Sequence, residues 1–286
     1  MKRLFSIGCS FTNYAWPTWA DMLGNHFDYY ENWAFAGLGN TAIAERLAEL
    51  HARENLTQND TVVIQWTSHL RHDWHTNDER HNVTKGIGWK TSGSIFNYIN
   101  EDIFDRRWIE TFWDENSYMM HTCNHILLAQ NFLRSIGCTW RMTSMGYIHK
   151  MNSDYPVDEH GEKTPQSDLW KDVPSLKIYQ KIFENKKDWI TPIGTFAWNH
   201  STPPYKFKSH NGPTFTDDKH PTVLQHADYV RTQVLPSLGM NQNLAEKTKK
   251  WIDNVNNLYE NSHKDFDYFC ESVDKTLDWR TDYRGF

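Results

Sequence analysis

The sequence predicts an α/β fold in which a mainly parallel sheet is covered by helices on both faces. Two observations carry that expectation. Short apolar runs at residues 4–7 and 61–66 end in turns, and segments with apolar residues at helical spacing follow them, so strand and helix alternate along the chain. Residues 4–7 form the first strand, stopped by Gly8. Pro17, followed by Trp19, Met22 and Leu23, opens a helix, since proline suits a first helical turn. The small-residue segment 32–39 leads into a helix over 41–52, where Ile43, Leu47 and Leu50 share a face and Asn40 is the expected N-cap. The β-branched run 61–66, after the Asn59-Asp60 turn, reads as a buried parallel strand. Residues 68–116 lose all period and read as a surface excursion. A long helix returns over 118–136, with Met119, Cys123, Ile126, Leu127 and Leu133 on its stripe and Gly137 as its stop. A strand over 138–145 follows, then a polar stretch with a helix over 175–183. Residues 190–196 read as a short strand or an extended approach. A Pro-rich loop over 201–213 and a helix over 222–235 close the core. The organisation expected is a core at 1–240 with insertions at about 69–115 and 146–215, and a helical C-terminal appendage at 241–286 with Trp251, Val255 and Leu258 on one face.

Composition narrows the function classes. The chain has 286 residues, 38% of them apolar, and no stretch approaching 18 uncharged apolar residues, so no membrane span is expected. Fourteen Trp and 15% aromatic content supply the large apolar groups that a packed core needs. Thirty Lys and Arg against 36 Asp and Glu, a formal charge of −6, speak against a nucleic-acid partner. Cys9, Cys123, Cys138 and Cys270 are scattered, without the paired spacing of a disulfide framework or zinc knuckle. The positive start Met1-Lys2-Arg3 runs into Gly8-Cys9-Ser10 before any leader-length apolar run develops, and a cytoplasmic location is the expectation. Gly37 and Gly39 lack the third glycine of a dinucleotide loop, and no Gly-Lys-Ser/Thr triplet occurs, so no cofactor is expected.

Open parallel sheets carry their working groups on loops beyond the carboxyl ends of the strands. Three such places stand out: Gly8-Cys9-Ser10 after the first strand, the segment ending at Gly37, and Asp217-Asp218-Lys219-His220-Pro221. A serine hydroxyl becomes an effective nucleophile when an imidazole takes its proton and a carboxylate orients that imidazole. Ser10, His220 and Asp217 supply the three groups.

In these blocks and in their order the sequence resembles the SGNH hydrolases, the GDSL esterase superfamily, over roughly residues 3–240. The resemblance implies a three-layer α/β/α sandwich of flavodoxin-like type. It also implies Ser10 as nucleophile, Asp217 and His220 as its partners through the Asp-x-x-His block, and Gly37 with the Ser10 amide as oxyanion donors. Two departures stand against the pattern. Cys9 replaces the usual aspartate, which leaves open whether Ser10 or Cys9 attacks. The expected Gly-x-Asn-Asp block reads Gln65-Trp66-Thr67-Ser68 here, so Ser68 is the candidate third oxyanion donor, with Asn40 a possible substitute.

His69, His72 and His75, with Asp73 and Asp78, could be drawn as a metal site, but none of the established zinc spacings is present and no metal is expected. Arg71 is a candidate for an anionic substrate group. Trp66, Trp74, Trp89, Trp108, Trp113 and Trp198 fall near the expected cleft, where aromatic faces suit sugar rings. Trp66, Arg71 and Asn40 are therefore the candidate substrate contacts. The expectation is a serine ester hydrolase removing an O-acyl group from a small-molecule or glycan ester. The alternatives are an O-acyltransferase with the same triad and a noncatalytic carbohydrate-binding or structural protein. Similar short chains resemble bacteriophage proteins, for which a virion location would need no leader. Oligomeric state is left open.

Overall fold

The structure, a computed structural model, describes residues 1–76, 88–94, 107, 111, 114–148, 173–208 and 214–279. Its strands are β1 (Arg3–Ile7), β2 (Tyr29–Asn32), β3 (Asp60–Trp66), β4 (Arg71–Thr76), β5 (Gly88–Ser94), β6 (Thr139–Ser144), β7 (Lys206–Lys208) and β8 (Phe215–Asp217). The main helices are α1 (Trp19–Gly24), α2 (Asn40–Glu54), α3 (Glu115–Ile136), α4 (Lys177–Ile182), α5 (Ile193–Trp198), α6 (Val223–Tyr229), α7 (Glu246–Asn261) and α8 (Phe266–Thr276). A π-helical stretch, Val230–Val234, carries α6 on to a final turn at Leu235–Ser237.

The central sheet has the order β2-β1-β3-β6 and every pairing in it is parallel. From β1 the chain first steps to β2 on one side and then crosses to β3 on the other. The strand order therefore reverses between β1 and β3, and a crevice is expected there beyond the carboxyl ends.

Alternation along the strands builds two cores. Phe5, Ile7, Val62, Ile64, Trp66, Trp140 and Met142 face one way, against Ile43, Leu47 and Leu50 of α2 and Cys123, Ile126 and Leu133 of α3. Leu4 and Val63 face the other way, against Trp19, Met22 and Leu23 of α1 and Ala227, Tyr229, Val230 and Val234 of the α6 run. The result is the α/β/α sandwich that the sequence predicts. Trp251 and Val255 of α7 and Phe269 and Val273 of α8 belong to this second core, together with Trp16. Residues beyond 240 thus share buried apolar surface with the sheet-bearing part of the chain.

Helix starts follow capping chemistry. Thr18 caps α1 in a reciprocal box with Asp21, and Thr222 caps α6 in another with Gln225. Gly137 at φ 77° ends α3, its amide reaching the Leu133 and Arg134 carbonyls. The cap expected of Asn40 is not made. Gly39 takes that position without a side chain to offer, and Asp73 of β4 supplies the acceptor instead, taking the Gly39 amide at 2.7 Å and the Ala42 amide at 3.0 Å.

Several readings change. Strand β2 was hidden because Tyr29, Tyr30, Glu31 and Asn32 lack an apolar run; two of the four are partly exposed. The excursion after residue 68 contains a hairpin of β4 and β5. In 190–196 only the approach is extended. Trp189 bridges Met142 in parallel, Ile190 donates to the Met142 carbonyl at 2.8 Å, and the chain then turns into α5. The Pro-rich loop holds β7, which pairs with β8.

Candidate functional site

The loop after β1 is built around Gln65. The Gln65 side-chain carbonyl accepts from the Cys9 amide at 3.3 Å, the Cys9 thiol at 3.2 Å and the Thr12 hydroxyl at 3.0 Å, and its amide donates to the Trp66 carbonyl. A side chain at Gly8 would collide with Thr12 Oγ1 and stand 3.0 Å from Gln65 Oε1, so the turn closes only on glycine. Cys9 is fully buried with its sulfur turned to Gln65, and Ser10, 6% exposed, is next to it. The burial that the residue types leave undecided therefore separates the two candidate nucleophiles: Cys9 faces the interior.

The segment after β2 returns to the same place. Trp33 N–H donates to the Ser6 carbonyl and Phe35 N–H to the Gly8 carbonyl, while Asn13 ties itself to the Ala34 carbonyl at 2.9 Å. Leu38 N–H closes a turn on Phe35, and Gly37 within it has φ 88°. A side chain there would be strained. Among the described residues neither the Ser10 nor the Gly37 amide has a hydrogen-bond acceptor.

The loop after β8 brings the imidazole. The Asp218 amide donates to the Tyr205 carbonyl at 2.7 Å, and the Asp218 carboxylate turns inward. Its Oδ1 accepts from both the amide and the Nδ1 of His220, at 2.7 and 2.9 Å. Its Oδ2 accepts from the Tyr14 hydroxyl at 2.9 Å. Burial opposes ionisation of Asp218, but these donors and the imidazole's charge overcome it and hold the carboxyl below its ordinary range. An ionised carboxylate can only accept, so in the neutral imidazole Nδ1 carries the proton and Nε2 keeps its lone pair. The ring is fixed by stacking on Tyr14, centroids 3.6 Å apart at 20°, and by the edge of Phe11 at 5.3 Å. Phe11 follows Ser10 directly, so the imidazole and the serine turn are immediate neighbours.

Asp217 is not the partner of His220. Its carboxylate pairs with Lys206 at 3.3 Å and is 43% exposed. The reason is strand geometry. Asp217 ends β8 opposite Lys206 of β7, and successive side chains of a strand alternate, so the next residue is the one aimed at the site. Asp218 lies next to it in the sequence, and its inward aim is set by strand pairing that the sequence does not display.

The other candidates are placed as follows. Trp66 is fully buried in the core and faces no cleft. Asn40 is spent internally: its carbonyl accepts from the Thr67 amide at 2.9 Å, and its amide donates to the Thr67 carbonyl and the Thr122 hydroxyl. It staples the start of α2 to the loop after β3. Arg71 donates to the Leu38 carbonyl at 3.0 Å, bracing the Gly37 turn rather than projecting to a ligand. Ser68 is fully buried, and its hydroxyl oxygen accepts from the Leu70 amide at 3.2 Å. Trp198 is exposed, whereas the side chains of Trp74, Trp89, Trp108 and Trp113 lie outside the described residues.

No three His, Cys, Asp or Glu side chains among the described residues are grouped to hold a metal. Asp73 is committed to the start of α2, and His72 Nδ1 meets the Tyr118 hydroxyl at 2.7 Å. The side chain of His75 and all of Asp78 lie outside the described residues. No described helix is long and apolar enough to cross a membrane.

No family model matches the chain, and no curated protein matches it. Among solved structures, the crystal structure of TesA is similar at a TM-score of 0.40 and 13% identity, over 82% of this chain and 97% of that one. A likeness of that size gives no basis for assigning an activity.

Proposed function

We propose that the chain is a serine ester hydrolase of SGNH type with Ser10 as nucleophile, His220 as base and Asp218 as the carboxylate that orients it. The observation that carries this is the doubly anchored Asp218–His220 pair, set beside a serine turn whose amide, with that of Gly37, has no acceptor among the described residues. Asp218 holds the proton on Nδ1, so Nε2 takes the Ser10 proton as the hydroxyl attacks an acyl carbon. The carbonyl oxygen gains negative charge in that step and is met by the Ser10 and Gly37 amides. Each such donor is worth roughly 100- to 1000-fold in rate. His220 then returns its proton to the leaving alcohol, and water, activated in the same way, releases the acid.

Ser68 is left out of the donor set because its side chain is fully buried and turned toward the Leu70 amide. An O-acylated carbohydrate is the substrate class we favour; its support is the Trp-rich sequence around 74–113 and the exposed Trp198.

A fluorophosphonate probe tests the reading by intact mass and peptide mapping. One adduct on Ser10, absent in Ser10→Ala, is expected. An adduct on Cys9 would overturn the choice of nucleophile. No adduct at all, under conditions that label a known serine esterase, would leave the noncatalytic binding-protein reading in its place.

A further inference from the structure

We propose that Tyr14 is a positioning residue of this site, fixing the Asp218 carboxylate with its hydroxyl and the His220 ring with its face. The inference rests on the reading of His220 as base, and it concerns a residue that no part of the three-group scheme requires. Two contacts to two different members of the pair come from one rigid side chain: the hydroxyl on Asp218 Oδ2 at 2.9 Å and the ring stacked on His220 at 3.6 Å. A phenol that only filled space would make neither contact with that precision of angle, 20° between planes.

Tyr14 is itself held. Trp16 abuts it edge-on at 4.7 Å, and the Trp16 indole N–H donates to the Pro221 carbonyl at 3.0 Å, so one residue braces both Tyr14 and the chain just after His220. Phe266 at the start of α8 lies 6.5 Å away on another side, and Trp16 also packs on Phe269. The C-terminal helices therefore reach the site through Trp16 and Tyr14. Burial, and after it the nearby Asp218 charge, keep the phenol protonated far beyond neutral pH, so toward the carboxylate it acts as a donor.

Among the described residues these groups face His220. Asp218 and exposed Lys219 come from its own loop, Tyr14 and Phe11 from the loop after β1, and His226 from α6; Cys270 of α8 bears on Tyr14. His226 is fully buried and stays neutral, its imidazole held down to about 3, so it adds no competing titration near neutrality. The Tyr14 hydroxyl takes up part of the Asp218 charge that would otherwise fall on Nδ1–H. Removing it strengthens that pull, while the carboxylate loses one of its anchors.

The test is the NMR signal of the His220 Nδ1 proton, run beside fluorophosphonate labelling rates against pH, for the native chain, Tyr14→Phe and Tyr14→Leu. Tyr14→Phe keeps the stack and should shift the Nδ1 proton signal and slow labelling about tenfold, the loss of one hydrogen bond to a charged group. Tyr14→Leu should lose the stack as well, slow labelling further and broaden the His220 signal. An unchanged Nδ1 proton signal and unchanged pH–rate profiles in both folded variants would overturn the proposal while leaving the hydrolase reading intact. A signal that moves in the variants, with a native chain that takes no probe, would support the contact and sink the hydrolase reading alone. Should Tyr14→Leu fail to fold, Tyr14→Phe decides by itself.

Discussion

Replacing Asp218 and Asp217 separately by asparagine tests the arrangement of the site most sharply, because the two are neighbours with opposite expected consequences. Asp218 receives three donors: the His220 amide, His220 Nδ1 and the Tyr14 hydroxyl. In Asp218→Asn only one side-chain oxygen remains. If it stays toward His220, the new NH2 faces the Tyr14 hydroxyl without a negative charge to share. If the amide rotates to satisfy Tyr14, the NH2 meets Nδ1 and drives the proton to Nε2, the tautomer that cannot act as base. Loss of the orienting carboxylate in triads of this kind costs about 10⁴-fold in kcat, or ~5.5 kcal/mol of barrier. The folded state should survive, since the replacement is isosteric and two of the three contacts have a neutral substitute; a cost of about 1–3 kcal/mol is expected. Asp217 shares only a pair with Lys206 at 3.3 Å, with side-chain exposures of 57% and 43%. Such pairs are worth roughly 0–1 kcal/mol, so Asp217→Asn should label within about twofold of the native rate. The assay is the pseudo-first-order rate of fluorophosphonate labelling at neutral pH, followed by intact mass, with thermal melts to show that both variants fold. A folded Asp217→Asn that labels a thousandfold more slowly, beside an Asp218→Asn that labels normally, would refute the reasoning and restore the three-residue spacing.

Two further outcomes follow from burial. The Asp73 carboxyl is pushed up from 3.8 to about 6, mainly by burial and in spite of the amides of Ala42 and Gly39. A carboxyl whose pKa is higher folded than unfolded lends stability that is complete below about pH 4 and is lost as pH rises through about 6, a span of ~3 kcal/mol. Asp73→Asn removes that dependence, so urea unfolding should find it weakest relative to the native chain at pH ~4 and recovering by about that amount toward pH ~7; a pH-independent difference would contradict it. Trp251 of α7 is 5% exposed in the core that also contains Trp16 and Tyr229. Trp251→Ala should cost about 3–5 kcal/mol in the same experiment. A loss below about 1 kcal/mol would mean that the C-terminal helices are only loosely attached.

Much of the molecule is legible in one dimension because its signals are local. The runs at 4–7 and 61–66 are buried on both faces of a parallel sheet, so they appear as unbroken apolar stretches; the helices after them show their period because one face is covered. Gly8 and Gly37 are equally local, since a turn is decided by neighbours a few residues apart. The nucleophile turn and the histidine loop could be picked out for the same reason. What tertiary structure decided is every choice that depends on a distant partner. Asp218 rather than Asp217 orients His220 because β8 pairs with β7 and sets which side chain points inward. Gln65, read only as the residue standing where an expected motif fails, holds the serine turn from a neighbouring strand 53 to 56 residues away in sequence. Asp73 caps α2 across 31 and 34 residues, which freed Asn40 for the loop after β3. Trp66 and Arg71 changed from candidate substrate contacts to a core residue and a loop brace. Residue type limits what a side chain can do, but burial and the direction of its bond vectors decide which of those things it does, and both are properties of the folded chain.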